Sequence, residues 1–273
     1  TIIESPVLDN WQIVLSLRDT GIEPIRNWMG EFTDTAGVGT VDVGTLSDEE
    51  AELLATDMPH IRALLFGPTQ VREIVRRPFF VKILDQGFAA DATGGSFIPQ
   101  SEVNLIENWW ERGGYNAVGR DAIERQRAIV ELATARARNL SRPIKLSQIN
   151  MAYIAQVSQF IEDGILQQVR TGHSVRFAHD IFFEWGYFHV LADRSEDWLD
   201  EVRACGEPPA VARVVELFSQ SEYTHSQEWA GHLIRAAASG MRSQWTRSWL
   251  LGPVGASDFT QKEDQFAAAA AAD

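Results

Sequence analysis

Three short segments of this sequence carry side chains whose chemistry suits a phosphate or a flat ring. The first ends in Arg18, which closes the apolar run Trp11–Leu17. A guanidinium at the mouth of a buried strand can hold a phosphate in a bidentate fork, and it stays charged at any working pH. Pairing with Asp19 or Glu23 is the plainer use of the same residue. The second is Pro78, in Arg77-Pro78-Phe79-Phe80. Its ring is flat and rigid and brings no N–H donor, so it can lie against an aromatic base. The plainer reading is a first-turn proline beside core phenylalanines. The third is His179, in Phe177-Ala178-His179-Asp180-Ile181. Imidazole can donate to a phosphate oxygen and changes charge near neutral pH, which suits a contact that must be made and broken. Its plainer role is to cap the helix that begins there, with Asp180 favourable in the first turn.

Other chemistries find less support. There is no G-x-x-x-x-G-K-[ST] and no Gly-Lys pair, nor an acidic run after a hydrophobic strand that would hold Mg²⁺. His173, His179, His189 and Glu184 cluster in sequence, but no two of these histidines stand one helical turn apart as in H-E-x-x-H, so solvated or hydrogen-bonded histidines are expected rather than a metal site. No G-x-S-x-G elbow marks a nucleophile. Arg136, Arg138, Arg142 and Lys145 make a local basic stretch, read first as a solvated face.

The elements that must place these residues are mostly helical. Before position 46 the apolar run Trp11–Leu17 reads as a buried strand, and Thr33–Val43 as a loop leading into a short one. Ser47 followed by Glu50 is a capping box, and leucines at helical spacing follow it. Pro59 splits two short helices, Gln70–Val75 makes another, and Pro78 opens the next. A Gly/Ser/Ala loop, Asp91–Pro99, marks the best internal boundary. Helices are then expected from Ser101 through Trp110, over Asp121–Asn139 and over Ser147–Asp163. A hairpin follows, from Ile165–Arg170 and Val175–Phe177 around Thr171-Gly172-His173-Ser174. Ala178–Leu191 returns to helix. At least two more helices, Val211–Phe218 and Glu228–Ala238, lie beyond and could open a helical-repeat array. Tryptophans at helical spacing, Trp109, Trp110, Trp185, Trp245 and Trp249, read as core anchors or interfaces.

Composition sets the bounds. With 273 residues and 45% apolar residues, the chain can bury an ordinary core. Its net charge of −14 repels phosphate backbones, so broad nucleic-acid binding is disfavoured, although a local basic patch is compatible with it. The single cysteine, Cys205, allows no intrachain disulfide and fits a reducing compartment. No run approaches a membrane span, and the expectation is a soluble, cytoplasmic protein. The chain opens at Thr1 without an initiator Met and closes on an alanine tract, so it reads as a piece of something larger.

Taken in order, Val14-Leu15-Ser16-Leu17-Arg18, the stretch from Leu46-Ser47-Asp48-Glu49-Glu50 to Arg77-Pro78-Phe79-Phe80, and Phe177-Ala178-His179-Asp180-Ile181 resemble the back half of a STAND-type ATPase. These are the signal-transduction ATPases related to the NACHT and NB-ARC proteins. The likeness runs from Trp11 to Asp193; Ala178 stands where the family's third motif carries Met. It implies a mostly α chain: the end of an α/β nucleotide-binding domain (1–45), a helical lid (46–98), a winged helix (99–193) and a helical region (194–273). It implies that Arg18 reads the γ-phosphate of ATP, that Pro78 packs on adenine, and that His179 meets the β-phosphate of ADP. The family's P-loop and Mg²⁺ ligands stand upstream of the first motif, so this chain alone should not hydrolyse ATP. The resemblance further implies homo-oligomerisation on activation, a protein ligand or effector domain as partner, no membrane or nucleic-acid partner and, in bacterial members, antiphage defence. The alternative is a winged-helix interaction module that binds DNA or a protein without any nucleotide.

Overall fold

The computed structural model describes residues 41, 43–67, 69–88, 99, 101–114, 117–256 and 258–271. Arg18 and its strand, and all but the last residue of the loop 91–99, lie outside them.

The first helices form as the capping chemistry dictates. Helix α1 (Asp48–Asp57) starts at Ser47, whose hydroxyl accepts from the Glu50 amide while the Glu50 carboxylate accepts from the Ser47 amide. A 3₁₀ turn, Pro59–Ile61, then α2 (Arg62–Leu65) and α3 (Thr69–Val75) fold back on it. Buried Arg76 ties the group together, donating from Nε to the Leu65 carbonyl (2.9 Å) and from Nη1 to Asp48 (2.5 Å). Helix α4 (Pro78–Phe88) follows, with Pro78 in its first turn.

The middle of the chain is built around a buried arginine and a small sheet. Helix α5 (Glu102–Glu111) is capped by Ser101. Helix α6 (Arg120–Ala137) runs to strand β1 (Ile144–Lys145), and α7 (Ile154–Glu162) leads to the hairpin β2 (Leu166–Arg170) and β3 (Ser174–Phe177). Arg125 on α6 donates to the Gly113 carbonyl (2.6 Å), Gln159 (3.1 Å) and Asp163 (2.5 Å), with its guanidinium 4.5 Å from the Phe160 ring centre. The three strands pair antiparallel in the order β1-β3-β2, with Ile144 opposite Val175 and Leu166 opposite Phe177. Strand β1 thus stands between α6 and α7 in the chain and pairs with the last strand of the sheet.

Two local differences from the sequence expectation have physical causes. The helix expected over Ser147–Asp163 begins at Ile154; before it stand two 3₁₀ turns, Leu146–Gln148 and Met151–Tyr153, separated by extended backbone at Ile149. Asn150 causes the break, because its side chain caps the second turn through the Ala152 amide. Strand β1 is too short to leave a period-2 pattern, so only the hairpin was expected.

Helix α8 (Asp180–Arg194) is the centre of the fold. It is apolar on nearly every side, and Phe182, Phe183, Trp185, Tyr187, Phe188 and Leu191 are all buried. A helix of that composition must be enclosed. It packs on α6 along Gly186, where a Cβ would fall 2.7 Å from Ile129 Cγ2. On another side it meets α10 (Ala212–His225), reached through α9 (Trp198–Ala204). Then α11 (Trp229–Ala238), α12 (Ser243–Leu251) and α13 (Glu263–Ala270) complete a helical end around Trp198 and Trp249, whose rings stack at 4.9 Å. The expected role of the tryptophans as core anchors holds at Trp109, Trp185, Trp245 and Trp249, all buried. Among the described residues, no helix is long and apolar enough to cross a membrane.

Candidate functional site

His179 takes extended backbone angles (φ −139°, ψ 143°) and its Nδ1 accepts from the Ile181 amide at 3.3 Å, so it caps α8. An imidazole that accepts at Nδ1 carries its proton on Nε2 when neutral, the form that can donate to an oxygen acceptor. The capping role weighed from sequence is therefore observed, and it leaves the ring in a donor tautomer.

The His179 ring lies face to face with Phe79, centroids 3.9 Å apart and planes 24° from parallel. Phe79 immediately follows Pro78, which is exposed at the start of α4. The first turn of α4 and the cap of α8 thus form one local surface, although their residues are far apart in sequence. Arg18, the third residue of the expected set, lies outside the described residues.

Behind this surface is an aromatic wall. Phe79 meets Phe182 edge-on at 5.5 Å, Phe182 stacks on Trp109 at 5.9 Å, and Trp109 meets Trp185 at 5.4 Å. Phe80 closes the chain of rings against Trp185 at 5.9 Å. The wall joins α4, α5 and α8. Ion pairs support the same junction: the buried Glu102 carboxylate on α5 accepts from Arg213 on α10 at 2.8 Å and stands 4.0 Å from Arg77. A carboxylate this enclosed needs both cations to offset its desolvation.

Electrostatically, Arg136 adds a cation close to the α8 start. Burial lowers its pKa, Asp180 opposes that, and Arg176 adds to it. The other histidines do different work. His173 Nδ1 lies 2.9 Å from the Thr171 carbonyl at the hairpin turn. His189 stacks on Trp110 at 3.8 Å, and burial pushes its pKa down to about 3. Its Nε2 is buried without a hydrogen-bond partner, so this histidine is neither solvated nor paired at that atom. Among the described residues, no group of three or more His, Cys, Asp or Glu could hold a metal ion. An open groove of about 710 Å³ lies on α1 and α3, lined by Leu53, Phe66, Glu49 and Arg72, and includes neither Pro78 nor His179.

The geometry offers a proline ring, an aromatic wall and an imidazole donor at one place, with the Asp180 carboxylate next in the chain. An N–H donor beside exposed ring atoms is chemistry suited to an anionic group next to a flat ring. Phe79 is the contributor that sequence reasoning passed over; it was grouped with the core phenylalanines, and only its position beside Pro78 hinted at more. No protein-family profile, curated protein sequence or solved structure matches this chain.

Proposed function

We propose that this chain is the nucleotide-sensing regulatory half of a STAND-type ATPase switch, coupling its ATP or ADP state to oligomerisation and signalling. The observation that carries the reading is the Phe79–His179 stack, which puts the proline-bearing turn of α4 and the histidine cap of α8 side by side. In this reading Pro78 lies against the adenine, and His179 donates from Nε2 to a phosphate oxygen of ADP. Arg18 answers the γ-phosphate of ATP. The residues fit those tasks: Pro78 is exposed, and the cap fixes the His179 tautomer as the donor. Mg²⁺ would need carboxylates from outside the described residues.

The switch works by differential contact. A ligand that touches both α4 and the α8 cap favours the arrangement in which they adjoin, and one that engages Arg18 instead releases that preference. The test is ADP retention by a protein that joins this chain to a P-loop-bearing segment. His179→Ala is expected to release ADP faster and to make the switch constitutively active. ADP retention equal to wild type in His179→Ala overturns the reading.

A further inference from the structure

The sequence shows one basic stretch, Arg136–Lys145, and two separate cations in the hairpin, Arg170 and Arg176. The sheet brings them together. Val175 and Phe177 of β3 are buried, so Ser174 and Arg176 between and beside them face outward. Lys145 pairs with Ser174 and Gln167 with Arg176, which places those side chains on the same outward face. After a bulge Arg170 also stands opposite Ser174. Arg142, just before β1, is exposed, as are Lys145, Arg170 and Arg176. Arg136 Nη1 donates to the Arg142 carbonyl at 3.2 Å, adding a fifth cation beneath the edge.

None of the three strands contains a carboxylate. In a chain of net charge −14, the accumulation of like charge here is a local exception. Arg136 beneath it is balanced by Asp180, which favours its charge more than Arg176 opposes it, so the four exposed cations are the ones left to meet a ligand.

We propose that the outward face of β1–β3 is a binding surface for the phosphate backbone of nucleic acid, engaged by Arg142, Lys145, Arg170 and Arg176. The cations span three strands, roughly 10 Å at ~4.8 Å per strand, which suits successive phosphates rather than one. Arg176 also donates to Gln167 Oε1 at 3.0 Å, which holds its guanidinium over the sheet. A membrane surface fits less well, because Val169 is the only large apolar side chain exposed on the described strands. Base reading is not part of the contact. The helix before the hairpin, α7, exposes Ala155, Ser158, Gln159 and Glu162; Gln159 is engaged by Arg125, and carboxylates at the helix end repel phosphate. Binding is therefore independent of sequence and governed by salt. This inference does not rest on the nucleotide reading.

The experiment is fluorescence anisotropy of the complete 273-residue chain with a labelled duplex of about 20 base pairs, at about 50 and 200 mM salt. Four phosphate contacts give a slope of about −3.6 in log K against log salt, or roughly a hundredfold loss over that range. The double variant Lys145→Glu/Arg176→Glu removes two of the contacts. It is expected to weaken binding more than tenfold at low salt and to flatten the slope by about 2. Both residues are exposed, and an unchanged circular dichroism spectrum separates loss of contact from loss of fold. Arg247→Glu, on α12, is a single charge-reversal control and should leave binding as it was. Failure to bind the duplex at the lower salt overturns the proposal. So does equal binding by the double variant, an equal loss in Arg247→Glu, or a preference for phosphatidylserine vesicles over the duplex.

Discussion

The contact between Phe79 and His179 can be measured without any ligand. Phe79 is half-buried and touches three rings: His179 at 3.9 Å, Phe182 at 5.5 Å and Phe80 at 6.0 Å. Truncating a fully buried phenylalanine costs about 3–5 kcal/mol, so Phe79→Ala should cost about 2 kcal/mol. His179→Ala removes the cap on α8, worth about 1 kcal/mol, and the same stack. An aromatic pair of this geometry contributes about 0.5–1.5 kcal/mol beyond its burial. The double variant should therefore be less destabilised than the sum of the singles, by about that amount. Urea unfolding of the four proteins gives the coupling directly. A parallel thermal scan should place Phe79→Ala about 4–8 °C below wild type, at roughly 2–4 °C per kcal/mol for a chain of this size.

A second substitution separates the two roles of the histidine. Asparagine caps helices as well as any residue, so His179→Asn should recover most of the cap while leaving Phe79 without a stacking partner. Its cycle with Phe79→Ala should show the same coupling as the alanine cycle, because both substitutions remove the stack, while the single variant should be about 1 kcal/mol more stable than His179→Ala because the cap is kept. Additivity within ~0.3 kcal/mol in the alanine cycle would refute the stack, and with it the observation on which the functional proposal stands.

Other consequences follow from the buried polar groups and close helix contacts. His232 accepts at Nδ1 from Trp198 Nε1 (3.2 Å) and lies 3.0 Å from Arg235 Nη2; burial, then Arg235, lowers its pKa to about 4. A histidine depressed in the folded state is protonated first in the unfolded chain, so stability is complete above about pH 6.5 and falls as pH drops toward 4, by up to ~3 kcal/mol. His232→Asn should reduce that fall between pH 7 and 4.5, and an identical fall in the variant would count against it. Gly252→Ala places a Cβ 2.4 Å from the Glu216 carbonyl oxygen and 2.6 Å from Ser219 Cβ, whereas a Cβ at Gly231 meets nothing nearer than 3.5 Å. The first should lower the urea midpoint by an equivalent of about 2 kcal/mol or more, and the second should raise it by about 0.5–1 kcal/mol. A loss at Gly231→Ala would show that α11 is packed differently. Arg125→Lys cannot reach Gly113, Gln159 and Asp163 together and should cost about 2–3 kcal/mol by denaturant melt. A cost under ~0.5 kcal/mol would mean that the guanidinium fork is dispensable.

Local chemistry was the legible part of the fold. The capping box at Ser47 and Glu50, the cap at Ser101, the proline start of α4 and the hairpin turn at Gly172 (φ +67°) each follow from a few adjacent residues, and each forms as read. Of α9, α12 and α13, only α12 is signalled in the sequence, by the helical spacing of Trp245 and Trp249. The first is seven residues long, and the last contains the alanine tract, whose uniformity leaves no apolar face to read. Of the candidate site, residue types were legible but adjacency was not. Nothing in the composition of α4 says that Phe79, rather than Phe80, turns toward the cap of α8. That choice is made by the phase of α4 against the Trp109–Trp185 wall, a packing outcome with no local signature. The basic face was half legible for a similar reason: strand register, not sequence proximity, sets Lys145 and Arg170 opposite Ser174, on the face that carries Arg176.

The placement of His179 also constrains how any signal from it can travel. The residue caps α8, and the body of α8 is enclosed by α6 and α10, with Gly186 seated against Ile129 and Ala133. A contact that drew the imidazole away from the Ile181 amide would cost about 1 kcal/mol of capping. Tilting α8 itself would require repacking Trp185, Tyr187 and Phe188, each worth several times that. The cheaper response is to move α4, which meets α8 and its cap through the ring contacts of Phe79 and Phe80, with one long contact just before its start, between Arg77 and Glu102 of α5. A ligand at His179 should then shift the α1–α4 group against a fixed α8, rather than deform α6–α8. Hydrogen exchange offers the check: amides of α4 should change protection on binding while those of α6 and α8 do not, and a change centred on α8 would reverse this order of events.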